Sequence, residues 1–223
     1  MINQKDRTEI DMTNGDISTF QTAEEYIFYE EKLLKDAGTD TVLLRFWEPQ
    51  TDIVVLGKSN QAEREVYVDR CRQDGIPIVK RCSGGGTVLQ TKGVLNYSII
   101  APQFPPFDRV QSSNKEVMEI IKSQLQTETV PIEIQGYTDL TYKGKKWCGN
   151  AQKRTLTHFL FHGSMLIDAD IQKISHYLKH PSREPAYRKS LSHADFLCNV
   201  PLDKEQIKKG LKKAIAHIKQ MRR

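Results

Sequence analysis

Apolar residues in this chain occur in short segments of two different periods, and this pattern restricts the folds open to it. Segments with alternating or continuous apolar residues predict strands at 42–47, 53–56, 76–79 and 96–100, and further short β-like runs within 132–167. Apolar residues at helical spacing predict helices near 22–36, 64–73, 116–125, 170–178 and 203–220. Because the two kinds of segment do not alternate strictly, we predict an α+β (mixed α/β) fold with a mixed β-sheet.

The composition is that of a single soluble domain. The chain has 223 residues, of which 38% are hydrophobic and 27% are charged, and these values are typical of globular proteins. No apolar run approaches the roughly 20 residues that a membrane span needs. The N-terminal residues 1–7 have no apolar stretch behind their charges, so they do not read as a secretory signal. We therefore expect one domain over residues 1–223, a cytoplasmic location and no membrane partner.

The four cysteines are widely scattered along the chain, at Cys71, Cys82, Cys148 and Cys198. No two of them have C-x-x-C spacing, so the sequence predicts neither a zinc site nor a disulfide framework. We expect free thiols, and we assign no metal ligands among the protein residues.

The C-terminal end is strongly basic. Residues 203–223 contain eight lysines and arginines against two acidic residues, although the whole chain has a net charge of only +5. Such an end either attracts an acidic partner or forms the solvated face of a helix. No aromatic residue interrupts the basic run, so nucleic acid is not an expected partner.

Three consecutive glycines, 84–86, follow a predicted strand and the cations Lys80 and Arg81. Glycine allows a close backbone approach that a β-carbon would block, and successive N–H groups can surround an anion. The segment therefore predicts a phosphate or carboxylate site, and the alternative is a flexible loop with incidental charge. It is not a dinucleotide-binding fingerprint, because Leu89 stands where the third glycine would be.

A second stretch, residues 138–152, contains a tight turn that leads into a predicted strand. Asp139 precedes a tight turn at Gly144, and the next strand has alternating residues that point Lys146 and Cys148 to one face and Trp147 to the other. An inward-pointing lysine can stabilise an anion. The alternative is a solvated lysine, the ordinary state of this residue.

A third stretch contains two histidines. His158, Leu160 and His162 alternate with Phe159 and Phe161, as in a strand. The histidines share a face, but the strand rise separates them by about 13 Å, which is too far for one metal ion. We therefore expect structural histidines with satisfied hydrogen bonds.

These stretches, in this order, resemble the lipoate–protein ligase A family, which is related to the biotin ligases. The family loop Arg-Arg-x-Ser-Gly-Gly-Gly-x-Val is matched by residues 80–88, and the segment that carries the family's catalytic lysine is matched by 146–152. A His-Gly strand is matched by 162–166, and an early Arg-hydrophobic-Trp strand by 45–49. The resemblance covers about residues 20–215.

The resemblance implies a class II synthetase-like biotin/lipoate ligase catalytic domain with helices flanking its mixed sheet. The family uses ATP and Mg²⁺ to convert lipoate (or octanoate) to an acyl-adenylate, and then transfers the acyl group to a lysine of a lipoyl domain. The implied partners are the lipoyl domains of 2-oxoacid dehydrogenase E2 subunits or the glycine cleavage H protein. Longer members carry a C-terminal accessory domain that this sequence lacks, so a separate accessory subunit is a further expected partner.

The resemblance also implies roles for individual residues. Lys146 would be catalytic and would bridge the acyl carbonyl and phosphate oxygens, and Asp139 would help to bind the adenylate or its metal. The implied substrate- and adenylate-binding residues are Lys80, Arg81, Ser83, Gly84, Gly85, Gly86, Asn96, Asp139, Gly149, Ala151, His162 and Gly163.

Two alternatives remain open. The first is a related octanoyl or lipoyl transferase that works through a cysteine thioester without ATP. Such relatives carry the nucleophile shortly before the Asp-Leu step, where residues 131–135 contain no cysteine, so Cys148 is the remaining positional candidate. The second is a non-catalytic lipoyl-binding or accessory protein, and the retention of Lys146 with the glycine loop argues against it.

Overall fold

A computed structural model describes residues 9–12 and 22–222 of the chain. The interpretation of residues 1–7 as lacking a secretory signal lies outside the described residues, as does Arg223 of the basic end. In chain order, the helices and strands are β1 (Glu9–Met12), α1 (Ala23–Lys35), β2 (Leu43–Trp47), β3 (Ile53–Leu56), α2 (Ala62–Glu65), α3 (Val68–Gln73), β4 (Ile78–Lys80), β5 (Val88–Gln90), β6 (Val94–Pro102), α4 (Val110–Leu125), β7 (Glu133–Gln135), β8 (Asp139–Tyr142), β9 (Lys145–Arg154), β10 (His158–Leu166), α5 (Ile171–Tyr177), α6 (His193–Phe196) and α7 (Lys204–Gln220). A 3-10 helix at Ala186–Arg188 precedes α6.

The main sheet has seven strands in the order β1-β2-β6-β10-β9-β8-β7. Strand β1 pairs parallel with β2, and the other neighbouring strands pair antiparallel. A second sheet has the order β4-β3-β5, in which β3 pairs parallel with β4 and antiparallel with β5. The predicted mixed sheet is therefore confirmed.

Helices cover both faces of the main sheet. Phe159 and Phe161 of β10 point into the largest apolar cluster, which α4 and α7 complete with residues such as Val117 and Leu211. The intervening Leu160 packs on the opposite face in a cluster with Leu34 of α1. The alternation predicted for β10 is thus confirmed, and the α1 face is the one that carries the polar site.

The structure confirms the helix predicted near 22–36 and shows that the helix predicted at 116–125 is longer. Thr22 caps α1 in a capping box with Glu25, as its sequence predicts. The helix predicted at 116–125 begins at Val110 instead. The first turns of this helix are polar, so the spacing of apolar residues does not predict them. They are held in place because buried Ser113 accepts hydrogen bonds from Gln152 and Arg154 on β9.

Two other elements differ from the sequence-based prediction. The helix predicted near 64–73 is divided into α2 and α3, because Val66 leaves the helix to form a β-bridge with Leu178. Strand β1 was not predicted, since its sequence is half charged and it is held by contacts with distant residues.

Three of the six lysines of α7 are paired with acidic residues of the described chain. Lys204 contacts Glu48, Lys208 contacts Asp11 at 2.9 Å and Lys212 contacts Glu9 at 2.7 Å. These lysines recur at every fourth position, so they form one row that faces β1 and the end of β2. Lys209 and Lys213 of the same helix remain exposed. No helix within 23–220 is both long enough and apolar enough to cross a membrane.

Candidate active site

A cavity of about 920 Å³ opens on the α1 face of the sheet, between the glycine loop, β9, β10 and the segment 181–193. Most of the residues predicted for the site line it, namely Arg81, Gly85, Gly86, Asn96, Asp139, Lys146, Gly149, Ala151, His162 and Gly163. Other predicted residues lie outside this lining, namely Lys80, Ser83, Gly84 and Cys148. Lys80 is exposed at the end of β4, so the structure does not bring it together with the others.

Arg81 organises the glycine loop from within. Its Nη2 donates hydrogen bonds to the carbonyls of Gly84 (2.6 Å) and Gly86 (2.8 Å), and its Nε donates to Ser83 Oγ at 3.0 Å. Burial lowers the pKa of Arg81 to about 10, so the guanidinium is still charged at neutral pH. Within the described part of the chain, no hydrogen bond uses the N–H groups of residues 84–86. The loop therefore turns the carbonyls of Gly84 and Gly86 toward Arg81 and leaves backbone N–H donors for an anion.

The loop also depends on the residues that follow β3. Gly85 has a φ of +91°, which favours glycine. A β-carbon on Gly57 would overlap the Gly85 carbonyl, and Asn60 Nδ2 donates to Thr87 Oγ1 at 3.0 Å. Sequence reasoning missed Gly57 and Asn60. The available signal was a glycine directly after a buried strand, since such a glycine marks a close backbone approach.

His162 connects the loop to α1. Its Nε2 lies 2.6 Å from Ser83 Oγ, and its Nδ1 lies 2.7 Å from Glu30 Oε1. Ser98 donates to the other oxygen of Glu30 at 2.9 Å. Burial alone would raise the pKa of Glu30, but the neighbouring His162 and Arg45 and the hydrogen bonds from His162 and Ser98 hold it below its ordinary value. The expected satisfied histidine is thus confirmed for His162, whose carboxylate partner was not predicted.

Lys146 and Asp139 form an ion pair at the cavity wall. Lys146 Nζ lies 2.8 Å from Asp139 Oδ1, and the two side chains are 26% and 13% exposed. The hydroxyl of Tyr187 donates to Asp139 Oδ2 at 2.7 Å. A β-carbon on Gly149 would come within 2.8 Å of Lys146 Nζ. The lysine is therefore held inside the cavity, and the alternative of an ordinary solvated side chain does not describe it.

The predicted common face for Lys146 and Cys148 is wrong. The pairing of β8 with β9 shifts register, so that Leu140 opposes Cys148 whereas Thr141 opposes Lys146. This irregularity breaks the alternation on which the prediction depended. Cys148 and Trp147 both lie in the main apolar core, and burial raises the pKa of Cys148 to about 12.

The side chain of Asn150 on β9 lies over Gly163 of β10 and occupies the space that a side chain at Gly163 would need. A β-carbon at Gly163 would overlap Asn150 Oδ1. Asn150 accepts a hydrogen bond from Tyr97 at 2.6 Å and donates one to the Thr138 carbonyl at 2.7 Å. Gly163 therefore serves the packing of the neighbouring strand, which fixes the backbone between Gly149 and Ala151.

Asn96 belongs to a closed ring of polar side chains at the cavity wall. It donates to Gln90 at 2.8 Å, Gln90 donates to Ser164 at 2.8 Å, and Ser164 donates back to Asn96 at 2.7 Å. Because each member is both a donor and an acceptor, the ring is satisfied internally and fixes β5 against β6 and β10.

One part of the cavity is apolar. Ile27 of α1 and Trp47 of β2 line it together with Val55 and Val88 of the smaller sheet. These residues were not predicted, since they come from four elements. The cavity thus combines an apolar wall, a loop of free N–H groups and a paired ammonium. This combination suits a molecule with a hydrocarbon part and an anionic part.

No group of three or more potential ligands that could bind a metal ion occurs among residues 9–12 and 22–222. Asp139 places a carboxylate in the cavity wall. This arrangement fits Mg²⁺, which is commonly bound through one or two carboxylates and the phosphates of a substrate.

Comparisons with known proteins agree with the geometry. The family model of the lipoyl protein ligase A/B catalytic domain matches residues 22–216. The probable lipoate-protein ligase A of Mycoplasma pneumoniae is 30% identical over 151 residues, which are 67% of this chain and 44% of that protein. The lipoate-protein ligase A of Blochmanniella floridana is 31% identical over 160 residues, which are 70% of this chain and 45% of that protein. The chain thus spans less than half the length of these relatives.

Solved structures share the fold. A bipartite lipoate protein ligase from Thermoplasma acidophilum, studied with its E2 lipoyl domain, has a TM-score of 0.76 at 21% identity and covers 95% of this chain and 83% of its own. A putative lipoate protein ligase from T. acidophilum with bound lipoic acid has a TM-score of 0.74 at 20% identity, with 88% and 80% covered. A lipoate-protein ligase A bound with ATP has a TM-score of 0.75 at 21% identity, with 95% and 84% covered. The predicted ligase fold is therefore confirmed.

Proposed function

The chain belongs to the lipoyl protein ligase A/B catalytic domain family, and from this premise we propose that it is an ATP-dependent lipoate–protein ligase. Solved relatives bind lipoic acid and ATP, which supports the choice of substrates. The observation that carries the proposal is the convergence of Lys146 and the glycine loop on one cavity that also has an apolar wall.

In the first step, an oxygen of the lipoate carboxylate attacks the α-phosphorus of ATP. A carboxyl O–P bond forms, the bond to the pyrophosphate oxygen breaks, and pyrophosphate leaves the acyl-adenylate. In the second step, the ε-amine of a lysine on a lipoyl domain attacks the acyl carbonyl. A C–N bond forms, the C–O bond to the phosphate breaks, AMP leaves, and the amine loses a proton.

The residues of the cavity suit both steps. Negative charge develops on a phosphate and then on a carbonyl oxygen, so fixed donors near both atoms lower the barrier. Lys146 supplies a mobile ammonium, and the N–H groups of Gly85 and Gly86, which line the cavity, supply fixed donors. Gly149 and Ala151 expose the backbone of β9 to the ligand. The aliphatic tail of lipoate or octanoate would pack against Ile27 and Trp47.

Asp139 is the residue that we propose to contact Mg²⁺. The ion would enter with ATP, and when bound it neutralises charge on the phosphates. Asp139 Oδ1 also lies 2.8 Å from Lys146 Nζ, so it orients the ammonium before substrates arrive.

The acceptor would be the lipoyl domain of a 2-oxoacid dehydrogenase E2 subunit or the glycine cleavage H protein. The T. acidophilum relative is a bipartite ligase studied with its E2 lipoyl domain, which supports both this class of partner and a separate accessory subunit. Lys209 and Lys213 of α7 are exposed cations that would attract an acidic acceptor, whereas three other lysines of that helix have acidic partners.

No observation favours the thioester alternative. The Cys148 sulfur is buried in the core, its pKa is raised to about 12, and the residue is not part of the cavity lining. A thiol in that environment is neither ionised nor accessible to an acyl donor.

The test is lipoate-dependent exchange of labelled pyrophosphate into ATP with purified protein and Mg²⁺, followed by transfer of preformed lipoyl-AMP to a lipoyl domain. We expect exchange in the wild type, and a loss of about 10²–10³ in Lys146→Ala, the usual cost of removing such a donor. The matched control is Lys145→Ala, since Lys145 is exposed and outside the cavity lining. Absence of both activities in the wild type, or acyl transfer that disappears in Cys148→Ala, would contradict the proposal.

A further inference from the structure

The stretch of chain from residue 187 to residue 198 contacts Lys146 in two ways. The N–H of Cys198 donates to the Lys146 carbonyl at 3.0 Å, and Leu197 forms a parallel bridge with Lys146. These contacts fix the backbone of the lysine. Its side chain is reached indirectly, because Tyr187 donates to Asp139, which in turn contacts Lys146 Nζ.

The ring of Tyr187 is well fixed in this position. It lies 5.2 Å from the ring of Phe196, between centroids. A β-carbon on Gly136 would lie at ordinary contact distance, 3.5 Å, from its Cε1. Gly136 has a φ of +57°, which favours glycine and shapes the turn before β8. The hydroxyl therefore approaches Asp139 from a packed aromatic ring, with little freedom to move away.

The chemistry of the hydroxyl is also fixed. It donates a hydrogen bond to Asp139 Oδ2 at 2.7 Å, and a carboxylate oxygen can only accept this bond, so the phenol is the donor. Tyr187 itself does not line the cavity, whereas its neighbours Ala186 and Arg188 do. Any effect of its hydroxyl on a ligand must pass through Asp139.

We propose that Tyr187 is a positioning residue for Lys146: its hydroxyl holds Oδ2 of Asp139, so that Oδ1 stays turned toward the ammonium. The proposal rests on the ligase function proposed above for its catalytic consequence. When Lys146 turns toward the charge that develops on the substrate, Tyr187 keeps the carboxylate at β8. The lysine then moves alone, and the carboxylate keeps its place at β8.

The experiment uses Tyr187→Phe, which deletes the hydroxyl and keeps the ring. The control is Tyr142→Phe, the same change in the same sheet at a residue outside the cavity lining. In the first arm, the intact protein is labelled with trace acetic anhydride, and the acetylation of Lys146 relative to Lys145 is measured by mass spectrometry. We expect Lys146 to react roughly fivefold faster in Tyr187→Phe. Without the hydrogen bond from Tyr187, Asp139 is no longer held toward the ammonium, so Lys146 is paired less of the time. An unchanged or slower reaction overturns the proposal.

The second arm measures pyrophosphate exchange at varied lipoate concentration. We expect kcat of Tyr187→Phe to fall about tenfold to a hundredfold, which corresponds to the usual free-energy contribution of a hydrogen bond to a charged group. The KM for lipoate should be nearly unchanged. In an Asp139→Ala background, the same change should have no further effect on kcat, because the tyrosine then has no carboxylate to hold. An independent, multiplicative loss in that background overturns the proposal.

The two arms separate the two proposals. If the wild type catalyses no exchange, the ligase function fails, and the labelling arm still decides whether Tyr187 positions Lys146. Thermal unfolding of each variant shows whether the fold is intact. A merely structural role would lower the unfolding midpoint without changing the ratio of Lys146 to Lys145 labelling.

Discussion

The Nζ and Cε atoms of Lys146 lie 2.8 Å from the point where a β-carbon on Gly149 would stand. Gly149 belongs to β9, three residues beyond the lysine and past the irregularity that separates Lys146 from Cys148. The missing side chain of Gly149 therefore creates the space that the ammonium occupies.

Gly149→Ala is predicted to impair catalysis without unfolding the protein. The clashing atoms are the far end of a flexible side chain, so Lys146 shifts and the backbone stays. We expect lipoate-dependent pyrophosphate exchange to fall about a hundredfold, as when a stabilising donor is misplaced, and the unfolding midpoint to change little. The matched control is Gly38→Ala, where the added methyl meets Thr41 Oγ1 at an ordinary 3.5 Å. Full activity in Gly149→Ala would mean that this position of Lys146 is not the productive one.

Glu30→Gln is predicted to make the free energy of unfolding depend less on pH below neutral pH. The pKa of Glu30 lies below its ordinary value in the folded chain, so this carboxyl binds fewer protons when folded than when unfolded. Its stabilising contribution is complete above the ordinary carboxyl range and is lost as the pH falls through the folded-state pKa. Urea unfolding measured from about pH 7 to about pH 4 should show a shallower loss of stability in Glu30→Gln than in the wild type.

The same variant should be less stable at neutral pH, by about 2 kcal/mol, because buried Arg45 loses its nearby carboxylate charge. Glu31→Gln is the control, since Glu31 is the neighbouring carboxylate and forms a pair with Lys35 on the helix surface. Equal acid slopes in the wild type and in Glu30→Gln would contradict the prediction.

Asp11→Asn is predicted to destabilise the fold through Lys208. The Lys208 side chain is 3% exposed, and its ammonium lies 2.9 Å from Asp11 and 3.4 Å from Glu205. Breaking a fully buried pair costs about 3–5 kcal/mol. We expect a smaller loss, about 1–3 kcal/mol in urea unfolding, because Glu205 retains a carboxylate near the lysine and Asp11 is 30% exposed.

A second substitution checks the cause of this loss. Asp11→Asn combined with Lys208→Met should recover most of the stability, because no buried charge is left without its partner. If the double variant is less stable than Asp11→Asn alone, the cost does not come from the uncompensated lysine.

Local patterns in the sequence predict much of the fold. Thr22 and Glu25 predict the start of α1 because a capping box is made by residues three positions apart. The alternation from His158 to His162 predicts both faces of β10, since a strand with ordinary pairing keeps a period of two. Contacts between distant residues were harder to predict. Strand β1 depends on lysines of α7 that lie about two hundred residues away in the sequence, and a local pattern of apolar residues cannot predict such a partner.

The sequence by itself determined the residue types of the candidate site: glycines that leave room, a lysine, a carboxylate and a histidine, in an order that identifies the family. Only the tertiary structure decided how they are used. A shift in the pairing of β8 and β9 turned Lys146 toward the cavity and Cys148 into the core. Glu30 and Tyr187 became partners of His162 and Asp139 because the chain folds them together from distant positions. Residue type sets which bonds a side chain can form, whereas strand register and packing choose among them.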